Sequence, residues 1–155
     1  MVAIEDAAAA VYTSDSSIRI GIDLEAVTPR APSFFETYFT PSELEWVLTS
    51  KESQVLISTL IWSAKEAVLK ALQTGLRVDT REIEILPDDS PVIDGWRGFG
   101  ISAPKGWHWQ GHWRKLDNFV ITIAVGGPTL DYPLTLSGLG APVPPAPVTT
   151  KSPSE

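Results

Sequence analysis

Cysteine is missing from this chain of 155 residues, which excludes disulfides and thiolate metal sites and leaves redox compartment unmarked. Histidine occurs only twice, which with no cysteine argues against a transition-metal centre. No apolar run reaches the roughly 18 residues needed to span a bilayer. The acidic, alanine-rich start, Met1 to Ala10, lacks the basic flank and apolar core of a secretory signal. Positive charge is scarce too: 12 Lys and Arg against 19 Asp and Glu give a net charge of −7. That balance argues against general affinity for nucleic acid or anionic membrane, since phosphate neutralisation needs clustered basic residues. If the protein handles phosphates, compensating charge must be supplied locally, by a bound cation or by side chains such as Lys65, Lys70, Arg77 and Arg81. The hydrophobic share, 43%, suits one domain with a single core, and a soluble, cytoplasmic protein is expected.

Residues 1–17 give weak signals, an Ala-rich run that reads as a short helix or frayed end, and are taken as an N-terminal extension. From Ile18 the pattern sharpens. Ile18, Ile20, Ile22 and Leu24 alternate with Arg19, Gly21, Asp23 and Glu25, the period-2 signature of a strand with one apolar face. Asp23 and Glu25 share the other face at the strand's carboxyl end, and Gly21 on that face leaves room for something to approach the backbone. Two carboxylates so placed read either as a solvated strand end or as part of a hard-cation site of oxygen ligands.

Pro29 and Pro32 mark a connection, followed by an aromatic-rich segment from Phe34 to Phe39. Thr40-Pro41-Ser42-Glu43 then signals a helix start, with Thr40 as N-cap, Pro41 at the first position and Glu43 closing a capping box. Leu44, Val47 and Leu48 supply its inward face. A long helix is expected over about 52–74, closed by Gly75 in the left-handed region. Strands are expected at 81–86, 107–116 and 119–125, with a turn over 87–91 and a hairpin at Asp117-Asn118. Residues 18–126 form the expected domain, and 127–155, rich in Pro, Gly, Ser and Thr, the expected disordered tail. The order of elements predicts an α+β fold in which the long helix packs across an antiparallel sheet.

The long helix carries a stripe of Ile57, Leu60, Ile61, Ala64, Val68, Ala71 and Leu72, while Trp62, Glu66, Leu69, Lys70 and Gln73 fall on the opposite side. A Trp and a Leu flanking one carboxylate and one ammonium suggest burial on both sides. Glu66 and Lys70, four apart, also read as an ordinary surface pair worth about 0.2–0.5 kcal/mol. Trp107, Trp109 and Trp113 admit a stacking platform for sugar or nucleic acid, and His108 with His112 a metal pair. On a strand, however, the three Trp share one face and are expected to cover the long helix.

Ile20-Gly21-Ile22-Asp23-Leu24-Glu25, followed by Trp62-Ser63-Ala64-Lys65-Glu66-Ala67-Val68-Leu69-Lys70, resembles the paired signature of the 4'-phosphopantetheinyl transferase superfamily: GxDxE, then WxxKE, then a Lys four residues beyond the Glu. The match extends to Phe39-Thr40 with Glu43, and to Gly75-Leu76. It is similar to the second half of a surfactin-type enzyme, or to a holo-acyl-carrier-protein synthase-like single domain. The resemblance implies transfer of 4'-phosphopantetheine from coenzyme A to a serine of an apo acyl- or peptidyl-carrier protein. It implies Mg²⁺ held by Asp23, Glu25 and Glu66, catalytic roles for Glu66 and Lys70, and coenzyme A contacts from Lys70 and, less directly, Lys65. Either Glu66 or a water would take the serine proton. Only residues 1–17 precede the matched half, without a Ser-His-Ser-like segment, so self-association or a partner half is expected, the more so because Phe34, Phe35, Phe39 and the Trp-rich strand offer aromatic surface. The alternative is a non-catalytic binding or assembly module. Because three close carboxylates repel without a cation, Asp23→Asn and Glu66→Gln are expected to leave the metal-free protein as stable or more so.

Overall fold

In the computed structural model, which describes residues 2–4, 7–9, 13, 15–74 and 77–128, alternation in the first clear strand becomes β3 (Arg19–Ala26), an edge of a five-stranded sheet. Two short strands, β1 (Val2–Ile4) and β2 (Ala7–Ala9), precede it as an antiparallel pair. The Ala-rich run is therefore extended and not helical: it is too short to offset helix nucleation, and pairing satisfies its backbone instead. Three helices follow: α1 (Pro32–Tyr38), α2 (Pro41–Thr49) and α3 (Gln54–Leu72). Then come β4 (Glu84–Pro87), β5 (Arg97–Ser102), β6 (His108–Leu116) and β7 (Phe119–Gly127). The sheet order is β3-β7-β6-β5-β4, every neighbouring pair antiparallel. This is the expected α+β architecture.

Local chemistry sets the helix ends. Thr40 Oγ1 accepts from Glu43 N while the Glu43 carboxylate accepts from Thr40 N, the reciprocal capping box read from the sequence. Ser53 caps α3 by accepting from Leu56 N at 3.1 Å, and Gln73, at φ 58°, closes it in the left-handed region. Gln73 therefore takes the terminating role assigned to Gly75; Gly75 and Leu76 lie outside the described residues, as does the expected tail from 129 onward. Three expectations change. The segment around Phe34 is a helix, with Pro32 at its start. Leu48 is 69% exposed, because a nine-residue helix turns only its Glu43–Val47 line fully inward. The stretch over 81–86 opens with a 3₁₀ turn, Thr80–Glu82, whose cap Asp79 accepts from Arg81 N.

The long helix lies on the polar face of β3. A Cβ built on Gly21 would come 1.7 Å from Ala67 O, so the room that Gly21 leaves is filled by the α3 backbone. Leu60, Ile61, Ala64 and Val68 pack there with Ile83, Ile85, Phe99, Trp113, Val120 and Ala124. Ile22 and Leu24 face the other way, clustered with Trp96, Ile121, Ile123 and Val125. The aromatic surface invoked for association is largely consumed within the fold: Phe39 and Trp113 are buried, and Phe34, Phe35, Trp107 and Trp109 pack on the helix-side core.

Candidate active site

Packing of α3 on β3 brings together the two motifs. Ser63 Oγ donates to Asp23 Oδ2 at 2.8 Å, and Lys70 Nζ donates to Asp23 Oδ1 at 2.7 Å and to Ile22 O at 3.2 Å. Lys70 thus pairs across to the strand and not with Glu66 along its own helix. Asp23 is buried, so its charge is matched inside the fold. Asp23→Asn would keep one acceptor oxygen but put an amide donor against Ser63 or Lys70 and remove the charge that pairs Lys70, which argues against the expectation that this substitution leaves the metal-free protein as stable or more so.

Glu25, two residues on, faces the same way, and Arg30 Nη2 reaches its Oε2 at 3.5 Å. Burial pushes the Glu25 carboxyl up to about 7, with the negative charges of Asp23 and Glu66 adding to the rise and Arg30 opposing it. Burial also raises Glu66, helped by Asp23 and opposed by Lys70. Glu66 is half-buried, and none of the described residues binds its carboxylate by hydrogen bond or ion pair. The three carboxylates therefore share one electrostatic neighbourhood.

They do not form a closed cage: among the described residues no three His, Cys, Asp or Glu side chains converge to hold an ion. A small hard cation does not require one. Mg²⁺ is commonly bound through one or two carboxylates together with substrate phosphates and retained waters. The all-oxygen donor set, with repulsion between its members, fits such an ion.

Lys65, the motif lysine beside Glu66, is elsewhere. It is 0% exposed, and its ammonium donates to Thr80 O and Ile83 O, each at 2.7 Å, and lies 2.9 Å from Glu43 Oε2. Three donors meet three oxygens. Glu43, also 0% exposed, accepts in addition from Ile85 N at 2.8 Å. Burial raises the Glu43 carboxyl and lowers the Lys65 ammonium, while their mutual attraction opposes both shifts; the geometry is that of an ionised pair. The expected coenzyme A contact from Lys65 thus has no free donor behind it. Arg81 is likewise engaged, with Asp79 at 3.2 Å.

Arg30 and Thr122, polar residues near the carboxylates, escaped the sequence reading. Arg30 Nη1 reaches Thr59 Oγ1 at 3.3 Å, and its guanidinium lies 5.1 Å above the Phe34 ring. Trp62 meets Phe34 and Tyr38 at 4.8 and 5.0 Å, closing an aromatic wall beside the site. Thr122, opposite Asp23 in the β3–β7 ladder, bonds Ser63 at 2.8 Å. A hydroxyl inside the apolar run Phe119–Val125 was the available signal, because a buried polar group needs a partner.

Comparison with known proteins finds relatives in sequence and in fold. A holo-[acyl-carrier-protein] synthase of Caldicellulosiruptor saccharolyticus is 40% identical over 74 residues, 44% of this chain and 59% of the relative. The alpha subunit of a fatty acid synthase from Aspergillus oryzae is 32% identical over 82 residues, 49% of this chain but 5% of that subunit. The matched segment thus spans less than two thirds of either relative. Among solved structures, the holo-(acyl-carrier-protein) synthase of Bacillus anthracis in complex with CoA (3',5'-ADP) shares the fold with a TM-score of 0.60 at 21% identity, over 72% of this chain and 96% of the other. That of Thermotoga maritima has a TM-score of 0.54 at 23% identity, over 70% and 62%. The model of the 4'-phosphopantetheinyl transferase superfamily matches residues 19–124, a span that contains both motifs and the sheet that joins them, and the chain belongs to that superfamily.

Proposed function

We propose that this chain transfers the 4'-phosphopantetheine group from coenzyme A to a serine hydroxyl of an apo carrier protein, releasing 3',5'-adenosine bisphosphate. The observation that carries the reading is the meeting of Asp23 with Glu66 and Lys70 at the junction of strand and helix, in a member of this superfamily. Asp23, Glu25 and Glu66 would hold Mg²⁺, which when bound neutralises charge developing on the diphosphate. Lys70, partly exposed at the rim, orients a phosphate oxygen and adds positive charge where the leaving group becomes more negative. Glu66 takes the serine proton, directly or through a water. Its raised proton affinity makes it a stronger base than an ordinary glutamate. Lys65 acts from within the fold, by fixing α3.

The similarity to fatty acid synthase alpha subunits supports an acyl-carrier protein as the first acceptor to try. Because Lys65 is engaged internally and the net charge is −7, one chain offers few cations for the remaining phosphates, and a second copy or a partner half would complete the site. Incubation with coenzyme A, Mg²⁺ and several apo carrier proteins should add the mass of one phosphopantetheine to at least one carrier. No gain with any carrier, alone or with a supplied partner half, supports instead a binding or assembly module.

A further inference from the structure

Thr122 stands on β7 between Val120 and Ala124, its neighbours on the helix-facing side of the sheet. Both Thr122 and Ser63 are 0% exposed, where a hydroxyl without a hydrogen bond is costly. Their oxygens lie 2.8 Å apart, and Ser63 Oγ lies 2.8 Å from Asp23 Oδ2. The direction of both bonds follows from counting protons. An ionised carboxylate only accepts, so Ser63 gives its single hydroxyl proton to Asp23, and Thr122 must then donate to Ser63 Oγ. The chain of donors runs one way, toward the carboxylate, and each bond polarises the next.

Asp23 is thereby held asymmetrically. Oδ2 is held from inside the fold by Ser63 of α3, itself held by Thr122 of β7, whereas Oδ1 meets Lys70, whose side chain is 41% exposed against 5% for Asp23. We infer that Ser63 and Thr122 are positioning residues for Asp23: they fix Oδ2 so that Oδ1 stays at the opening, free to exchange Lys70 for a divalent cation. Lys70, released from Asp23, is then available to a phosphate. The torsion that turns a carboxylate about its bond to Cβ is broad and two-fold, so without the grip on Oδ2 the outward oxygen is not set in place. The inference rests on the transferase reading above.

The test titrates Mg²⁺ in the presence of coenzyme A, reading melting temperature, on the parent protein, Ser63→Ala, Thr122→Val and Thr122→Ser. Removing a group that orients a metal ligand costs about tenfold or more in metal affinity. The Mg²⁺ concentration for half of the thermal response should rise about tenfold in Ser63→Ala, rise less in Thr122→Val, and return to the parent value in Thr122→Ser. The Mg²⁺ dependence of transfer should shift in parallel, with the rate at saturating Mg²⁺ retained. Should Ser63→Ala fail to fold, the two Thr122 variants decide. A lower melting temperature with an unchanged Mg²⁺ midpoint would show a merely structural role and overturn the inference. A parent protein without any Mg²⁺ response overturns the cation assignment on which it rests, and is told apart because the parent itself fails.

Discussion

Burial and the charge of Asp23 disfavour ionisation of Glu25, and its titration gives a prediction with a definite sign. Its folded pKa of about 7 lies above the ordinary 4.5, so the folded protein holds a proton that the unfolded chain has already released. The stabilisation is complete below pH 4.5 and is lost as pH rises through 7. The gap corresponds to about 3 kcal/mol, reduced to about 1–2 kcal/mol by solvent screening of a partly exposed side chain. Urea unfolding without divalent cations should find Glu25→Gln as stable as the parent near pH 4.5 and more stable by that amount above pH 7. A constant difference across the range would contradict the assignment. Mg²⁺ must displace the same proton, so its stabilising effect should grow with pH over the same window.

At the scale of elements, the buried Glu43–Lys65 pair ties α2, α3 and β4 together, since each partner bonds backbone on a different segment. Removing one partner strands the other charge in the core and costs about 3–5 kcal/mol. Glu43→Gln and Lys65→Met should each lower stability by that amount, with the double variant recovering part of it, as measured by urea unfolding in a double-mutant cycle. If Lys65 instead serves coenzyme A, Lys65→Met raises the KM for coenzyme A and leaves stability alone. These elements also mark what the sequence made legible. The capping box at Thr40 and Glu43, the alternation of β3 and the 117–118 hairpin are local signals, and each stands where it was read. Residues whose roles come from distant partners were not legible. Lys65 looks like a site residue because it adjoins Glu66, and only the third dimension turns it toward Glu43. Thr122 gains its role from Ser63, 59 positions away, and β5 was missed because Gly98 and Gly100 dilute its alternation.

Across the whole molecule, no helix of the described residues is long and apolar enough to cross a membrane. On the proposed transferase reading, a net charge of −7 leaves a second copy or a partner half to supply further positive charge around coenzyme A. Light scattering with coenzyme A and Mg²⁺ should therefore give a mass that is a multiple of 16.8 kDa, or a complex with a partner half. A strict monomer that still binds coenzyme A tightly would contradict this. The central claim, that Glu66 works beside Asp23 and Lys70 in group transfer, is tested most directly by single-turnover labelling of an apo carrier by the parent and Glu66→Gln. Loss of a proton acceptor alone accounts for about 100-fold or more. The account predicts at least that loss in Glu66→Gln with an equal or higher melting temperature, because burial and Asp23 both disfavour the Glu66 charge. Equal labelling rates in the two proteins would contradict it.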